Sequence, residues 1–322
     1  MPPNCTECQE TEYKRGSLCN IPGDLIKCNA VRHGSKEIGC GGLIPASILE
    51  DYTDLFRIAV AGMYGSGKTC FISRLKNQLR LAKSCLFSYR EINIPENLPE
   101  EESKAKKTFI YPYYAEFAAN TGRKKMLAIY DFPGEDFMCS EHESISNIFL
   151  KKTMAYCDGI FFVMDLNMFL SGEYEDEGWK KRELRSTFEE IWHYIYNTAG
   201  SNGYAPSLAF IFTKADSPDV YAKIKKITGE DLEEEASHIK QNWDIGSIKD
   251  QGKMLDAFVM SSVPALHIIF DEDGYFKHKR SFAVSSLGFG NKIEGKTIKK
   301  LGKPFHVVDP FLWMLGVCDA AR

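Results

Sequence analysis

One short run of the sequence combines glycines, a lysine and a threonine at a spacing that suits a phosphate group. The run is Gly62-Met63-Tyr64-Gly65-Ser66-Gly67-Lys68-Thr69, which fits G-x4-G-K-[ST]. Glycines let the backbone curl so that successive N–H groups face the phosphates, with the positive end of a helix dipole behind them. Lys68 would reach the β- and γ-phosphates, and the Thr69 hydroxyl would ligate Mg²⁺. This pattern alone does not choose among kinases, ATPases and GTPases.

A second run places a carboxylate where it could act on the same phosphates. Asp131-Phe132-Pro133-Gly134 ends an apolar stretch and fits D-x-x-G. The Asp131 carboxylate would hold Mg²⁺ through a water molecule, and the Gly134 N–H would sense a γ-phosphate. The two runs together predict a nucleoside triphosphate as the ligand.

A third run carries residues that could read the base. Thr213-Lys214-Ala215-Asp216 fits [NT]-K-x-D. Guanine presents two donors, N1–H and the N2 amino group, along one edge, and a single carboxylate such as that of Asp216 accepts both. Adenine lacks this donor pair, and a site built around such a pair rejects the wrong ligand by up to about 10⁴-fold. Lys214 would lie along the base plane, so the sequence predicts a guanine site.

A loop that closes over the base would complete the pocket. The candidate is Val259-Met260-Ser261-Ser262, in which Ser261 or Ser262 would offer backbone or hydroxyl contacts. It follows an apolar stretch, as the second and third runs do. In open α/β sheets, ligands bind at the carboxyl ends of the strands.

Alternating apolar and helix-like stretches predict the elements that position these runs. Strands are expected at 55–61, 126–131, 159–164, 208–213 and 257–260, and helical stretches at 70–75, 179–196, 219–243 and 310–315. The range 109–119 is β-prone and turns into the strand at 126–131, whereas 78–107 is polar and is expected to be a long insertion. Strands that alternate with helices predict a mostly parallel sheet covered on both faces, the three-layer α/β architecture of a P-loop NTPase.

The first 45 residues are unusually rich in cysteine. Five of the ten cysteines lie there, and Cys5-Thr6-Glu7-Cys8 has the two-residue spacing that lets two thiolates reach one zinc ion. Cys28 and Cys40 best complete the ligand set, with Cys19 and His33 as competitors. We therefore expect a zinc-ribbon-like module at 1–45 and a P-loop domain at 46–322; the alternative is a disordered tail with incidental thiols.

In this order, the runs resemble those of the Ras-like (TRAFAC-class) phosphate-loop GTPases over about residues 55–263. The resemblance implies a switch that binds GTP and GDP with Mg²⁺ and changes loop order on hydrolysis. It also implies a switch threonine before the second strand, for which Thr108 is the candidate Mg²⁺ ligand. The cysteine-bearing start, GMYGSGKT, DFPGE and the terminal run VDPFLW are similar to the bacterial double-GTPase family.

One departure from the Ras-like pattern bears on catalysis. Members commonly place a water-orienting glutamine directly after the D-x-x-G glycine, whereas this chain has Glu135. A carboxylate beside a γ-phosphate is repelled, so Glu135 would position water poorly. The catalytic set would then be Lys68, Thr108, Gly134 and Glu135, with slow hydrolysis of GTP until a partner donates a residue such as an arginine finger.

Composition restricts the remaining function classes. The 322-residue chain has 40 basic and 44 acidic residues, a net charge of −4, whereas nucleic-acid binders usually carry a basic domain. No apolar run approaches the ~18 residues of a membrane span. The first residues lack a secretory signal, so a cytoplasmic location is expected. The main hypothesis is a GTPase that works with a protein effector or activator. The first alternative is a GTP-bound scaffold that does not hydrolyse GTP and recruits partners through the zinc module. The second is an ATP-dependent kinase.

Overall fold

The computed structural model describes the parts of the chain that carry the sheet and its adjoining helices. The described residues are 18–20, 25–28, 43–45, 55–63, 65–81, 87–92, 113–119, 124–132, 150, 153–155, 157–165, 167, 190–198, 205–228, 255–256, 276–289, 292–294, 297–300 and 302–319. Near the start of the chain, three short strands form an antiparallel sheet. They are β1 (Leu18–Asn20), β2 (Leu25–Cys28) and β3 (Leu43–Pro45), in the order β1-β2-β3.

A seven-stranded sheet forms the centre of the molecule. Its strands are β4 (Leu55–Gly62), β5 (Phe87–Ile92), β6 (Tyr113–Ala119), β7 (Lys124–Asp131), β8 (Gly159–Asp165), β9 (Ser207–Thr213) and β10 (Lys279–Ala283). The order is β10-β9-β8-β4-β7-β6-β5. The first five strands in that order are parallel, and β6 and β5 pair antiparallel. The expected mostly parallel sheet is therefore confirmed.

Strands β8 and β9 show why the centre of the sheet is so apolar. Every residue of both strands is buried, because each strand has a parallel neighbour on both sides and packed helices above and below. Strand β4 lies between β7 and β8, where Ile58 pairs with both Ile129 and Gly159. The phosphate-loop sequence thus leaves from the middle of the sheet rather than from an edge.

Helices cover both faces of this sheet. They are α1 (Lys68–Leu81), α2 (190–198), α3 (Pro218–Thr228) and α4 (Asp309–Asp319). On one face, Phe71 of α1 packs edge-on against Phe161 of β8, with 5.7 Å between ring centroids. On the other face, Trp192 of α2 contacts Phe162 and Phe210. Adjacent residues of β8 therefore point to opposite helical layers, so the three-layer arrangement is present.

Two expectations change at the margins of the sheet. The polar range 78–107, expected as an insertion, contains the end of α1 and all of edge strand β5, which pairs with β6. Strand β10 occupies the position beside β9, whereas the strand expected at 257–260 lies outside the described residues. An edge strand pairs on one side only, so β5 tolerates charged residues. Those charged residues made the segment look like an insertion in the sequence.

After β10, the chain forms a narrow antiparallel ribbon. Its strands are β11 (Ser285–Phe289), β12 (Lys292–Glu294), β13 (Thr297–Lys300) and β14 (Lys303–Phe305), with β11 paired to β14 and β12 to β13. Gly288 has a φ of 84°, and a Cβ there would lie 2.1 Å from the Lys303 carbonyl oxygen. Only glycine fits at this crossing. None of the helices in the described parts of the chain has the length and apolar character needed to cross a membrane.

Candidate functional site

The parallel strands bring all three chemical runs to one edge of the sheet. Strand β4 ends at Gly62, β7 at Asp131 and β9 at Thr213. Strand β8 ends at Asp165, which lies between β4 and β9 in the sheet order. Because the carboxyl ends of parallel strands meet at the same edge, the first three runs surround a single site.

The phosphate-loop glycines have backbone conformations that other residues rarely adopt. Gly62, Gly65 and Gly67 have φ values of 147°, 74° and 86°. At Gly62, a Cβ would also lie 2.1 Å from the Val163 carbonyl oxygen of the neighbouring strand. The loop ends where the Phe71 N–H donates to the Gly67 carbonyl at 2.8 Å and starts α1. The first N–H groups of that helix therefore point toward the loop, as anion binding requires.

Lys68 folds back over the loop that precedes it. Its Nζ donates to the carbonyl oxygens of Gly62 and Met63, both at 2.8 Å, and the side chain is buried. The loop therefore holds a desolvated ammonium at its centre. Such a cation has a strong electrostatic attraction for a phosphate group brought to the same place.

Thr69 and Asp131 bring two oxygen groups together across the gap between α1 and β7. The Thr69 hydroxyl donates to Asp131 Oδ2 at 3.3 Å. Burial raises the pKa of Asp131, while the charge of Lys68 and the Thr69 hydrogen bond act in the opposite direction. A hydroxyl beside a carboxylate suits Mg²⁺, which takes oxygen ligands and keeps several waters and phosphate oxygens. These residues fit the predicted Mg²⁺ site.

Thr213 ties the base-reading run directly to the phosphate loop. Its hydroxyl donates to the Ser66 carbonyl at 2.6 Å and also lies 3.1 Å from the Met164 carbonyl. The Ser66 hydroxyl itself is buried and has no hydrogen-bond partner among the described residues. The hydrogen bond therefore joins two residues that are 147 positions apart in the chain. This contact joins the two halves of the candidate site directly.

Asp216 is held by a residue that the sequence reasoning did not select. Ser285 Oγ donates to Asp216 Oδ1 at 2.6 Å, and the Gly288 N–H donates to Ser285 Oγ at 2.9 Å. The Ala215 N–H also donates to the Val284 carbonyl at 3.2 Å. Val284 and Ser285, which follow β10, therefore contact the third run directly, whereas Ser261 and Ser262 lie outside the described residues and their role stays a prediction.

The sequence pattern used to predict the base-closing loop occurs twice in the chain. Phe258-Val259-Met260-Ser261-Ser262 and Phe282-Ala283-Val284-Ser285-Ser286 share the same pattern of apolar residues followed by two serines. Strand pairing distinguishes the two segments, because the second one lies beside β9. Sequence alone does not show which segment pairs there.

Lys214, the second residue of the same run, pairs with a carboxylate at the end of the neighbouring strand β8. Its Nζ lies 2.5 Å from Asp165 Oδ2, and its backbone has a φ of 59°. Asp165 Oδ1 accepts the Asn167 N–H at 3.0 Å, and Asn167 Oδ1 accepts the Ser217 hydroxyl at 2.7 Å. The base-reading turn is therefore fastened to β8 on one side and to the loop after β10 on the other.

Several expected site residues lie outside the described residues. They are Thr108, Gly134, Glu135, Ser261, Ser262, Cys5, Cys8 and Cys40. Cys28 is the last residue of β2, and only its backbone is described. Within the described ranges, no three His, Cys, Asp or Glu side chains form a metal-binding group. The zinc module therefore stays a prediction.

Comparison with known proteins gives no family. No protein-family model and no curated protein matches the chain. Among solved structures, it is similar to bacterial selenocysteine-specific elongation factor EF-Sec, with a TM-score of 0.36 and 16% identity over 84% of this chain and 30% of that chain. It is also similar to the Arl6 BBS3 small GTPase from Trypanosoma brucei with bound nucleotide analogue GppNp. That TM-score is 0.36, with 11% identity over 83% of this chain and 99% of that chain. The chain thus spans less than a third of the elongation factor's length.

Proposed function

We propose that this protein binds GTP and GDP at the carboxyl edge of its central sheet and acts as a switch. The observation that carries the proposal is the hydrogen bond from Thr213 to Ser66, which joins a guanine-type reading run to a phosphate loop. That hydrogen bond sets the distance between the two runs without using any ligand atom. A pre-formed site of this kind loses little free energy to ordering when it binds.

At the phosphate end, Lys68 and the first N–H groups of α1 bind the β- and γ-phosphates. Thr69 and Asp131 would hold Mg²⁺, which would supply positive charge to the phosphate oxygens. Thr108 and Gly134 complete the γ-phosphate side by analogy with the Ras-like pattern.

At the base end, Asp216 accepts the two donors of guanine. A carboxylate has about four lone-pair sites, so accepting the Ser285 hydroxyl does not exhaust its capacity. Adenine offers neither donor, so Asp216 would lose two charge-assisted hydrogen bonds, at a cost in binding free energy. Selectivity for guanine over adenine follows from that cost.

Hydrolysis is proposed to be slow and dependent on a partner, since Glu135 replaces the usual glutamine. Single-turnover hydrolysis of GTP would be measured with and without partner proteins. A slow basal rate that a partner accelerates supports the switch. No hydrolysis under any condition favours the scaffold alternative.

The proposal also includes a zinc module at 1–45, whose ligands would be Cys5, Cys8, Cys28 and Cys40. It further includes the kinship with bacterial double-GTPases.

The direct test of nucleotide class is competition for a fluorescent GDP analogue. GTP and GDP should displace it at concentrations at least a hundredfold lower than ATP and ADP. Lys68→Ala should abolish tight binding of all four nucleotides, because the phosphate loop loses its central cation. Equal displacement by adenine and guanine nucleotides would instead support the kinase alternative.

A further inference from the structure

A buried carboxylate at the end of β8 has a place in the site that none of the sequence runs assigns. Asp165 is 5% exposed, whereas its partner Lys214 is 47% exposed, and the two are 2.5 Å apart. A buried carboxylate must be paired to remain charged. The pair therefore holds one end of a long, flexible lysine side chain at a fixed point.

The position of that point determines where the lysine stem runs. Lys214 follows the end of β9, and its ammonium lies at the end of β8, the strand between β9 and the phosphate-loop strand β4. The stem therefore runs from the base-reading end of the site toward the phosphate end. The Ser217 hydroxyl donates to Asn167 Oδ1, and the Asn167 N–H donates to Asp165 Oδ1, so a second chain of hydrogen bonds joins the same turn to Asp165.

We propose that Asp165 is a positioning residue that holds Lys214 across the face of the bound base and so sets how long the nucleotide stays bound. This inference rests on the proposed function. An unrestrained lysine would have to be immobilised each time a nucleotide binds, and such ordering weakens binding about threefold to tenfold. The ion pair with Asp165 restrains the Lys214 side chain without any contact from the nucleotide.

The test is Asp165→Asn, which removes the charge but keeps an oxygen to accept the Asn167 N–H. The GDP dissociation rate, measured with a fluorescent analogue, should rise about threefold to tenfold. In a Lys214→Met background, Asp165→Asn should change that rate less than twofold, because the ammonium on which Asp165 acts is absent. Asp219→Asn is the matched control; Asp219 is an exposed carboxylate in the first turn of α3 and should leave the rate unchanged.

Unfolding midpoints of the empty proteins separate positioning from a loss of folding. A purely structural role would lower the midpoint and leave the dissociation rate unchanged. The inference is overturned by an unchanged or slower dissociation rate in Asp165→Asn, or by an equal acceleration with and without Lys214. If the wild-type protein binds no guanine nucleotide, the proposed function itself fails, and that result is distinct from the others.

Discussion

At the scale of single residues, burial makes the charged form of Asp131 unfavourable. Asp131 is largely buried, which raises its pKa, and the nearby Lys68 only partly offsets this effect. A carboxyl group whose pKa is higher in the folded state stabilises the fold when protonated, and that contribution is lost as pH rises through the folded-state pKa. Burying a charged Asp131 therefore lowers the stability of the fold at neutral pH, and the proposed role of this carboxylate in holding Mg²⁺ would offset that cost when the ion binds.

This trade-off predicts opposite effects of Asp131→Asn on stability and on binding. The empty variant should be more stable than wild type at neutral pH, because the cost of burying a charge is removed. The difference should vanish at a pH below both the folded and unfolded pKa values of Asp131. Urea unfolding at both pH values checks the stability.

Nucleotide binding provides the second half of that prediction. In wild type, Mg²⁺ should tighten GTP binding, and this effect should weaken as pH falls and Asp131 takes up a proton. In Asp131→Asn, Mg²⁺ should have little effect at any pH. A variant that is less stable at neutral pH, yet keeps the full Mg²⁺ effect, would contradict this view of Asp131.

The residue scale also shows how far sequence reasoning extends. The types and spacing of Lys68, Thr69 and Asp131 were enough to predict that they lie together, because each motif has a fixed relation to its own strand end. The pairing of Lys214 with Asp165 was not predicted, because it depends on which strand lies next to β9. Strand order is a tertiary property that local patterns do not encode.

At the scale of elements, the loop after β10 links the base-reading run to the C-terminal ribbon. Ser285 is both the first residue of β11 and the hydrogen-bond donor to Asp216. Gly288 closes the same turn by donating to the Ser285 hydroxyl and by leaving room for Lys303. The start of the ribbon is therefore part of the candidate site.

The two similar serine segments give a prediction with an internal control. Ser285→Ala should weaken GDP binding about tenfold or more, because a hydrogen bond to a charged group contributes about 1.5–3 kcal/mol. Ser261→Ala, in the segment with the same sequence pattern, should have less than a twofold effect. Calorimetric titration of both variants checks this. The larger loss in Ser261→Ala would return the base-closing role to that segment.

The sequence predicted the strands in the middle of the sheet and missed the strand at its edge. The buried strands β4, β8 and β9 are continuous apolar runs, so sequence located them within one residue. Strand β5 escaped notice because an edge strand with one neighbour needs no such run. The choice between the segments at 257–260 and 279–283 required knowledge of which one pairs with β9.

At the scale of the whole molecule, the chain's last helix belongs to the core of the same fold. Trp313 of α4 is 1% exposed and contacts Phe282 of β10 at a centroid distance of 5.6 Å. Gly159 of β8 lies directly beneath Met314, where a Cβ would meet the Met314 sulfur. Residues far apart in the sequence therefore stabilise one sheet.

This arrangement predicts a global effect of a substitution far from the nucleotide. Trp313→Ala should lower the free energy of unfolding by about 3–5 kcal/mol, because it leaves a large cavity under the sheet. Denaturant unfolding of the empty protein measures the loss, and GDP should recover part of it by mass action. Loss of less than about 1 kcal/mol would mean that α4 is not part of the cooperative core.

The account depends most on Asp216 as the reader of guanine, and one measurement tests that directly. Affinities of GDP, ADP and xanthosine diphosphate would be compared for wild type and Asp216→Asn. Xanthine carries a carbonyl oxygen in place of the guanine amino group, so an amide that donates there should favour it. The expected result is a preference for GDP in wild type and for xanthosine diphosphate in the variant, each by at least about a hundredfold. An unchanged preference for GDP in the variant, or none over ADP in wild type, would contradict the account.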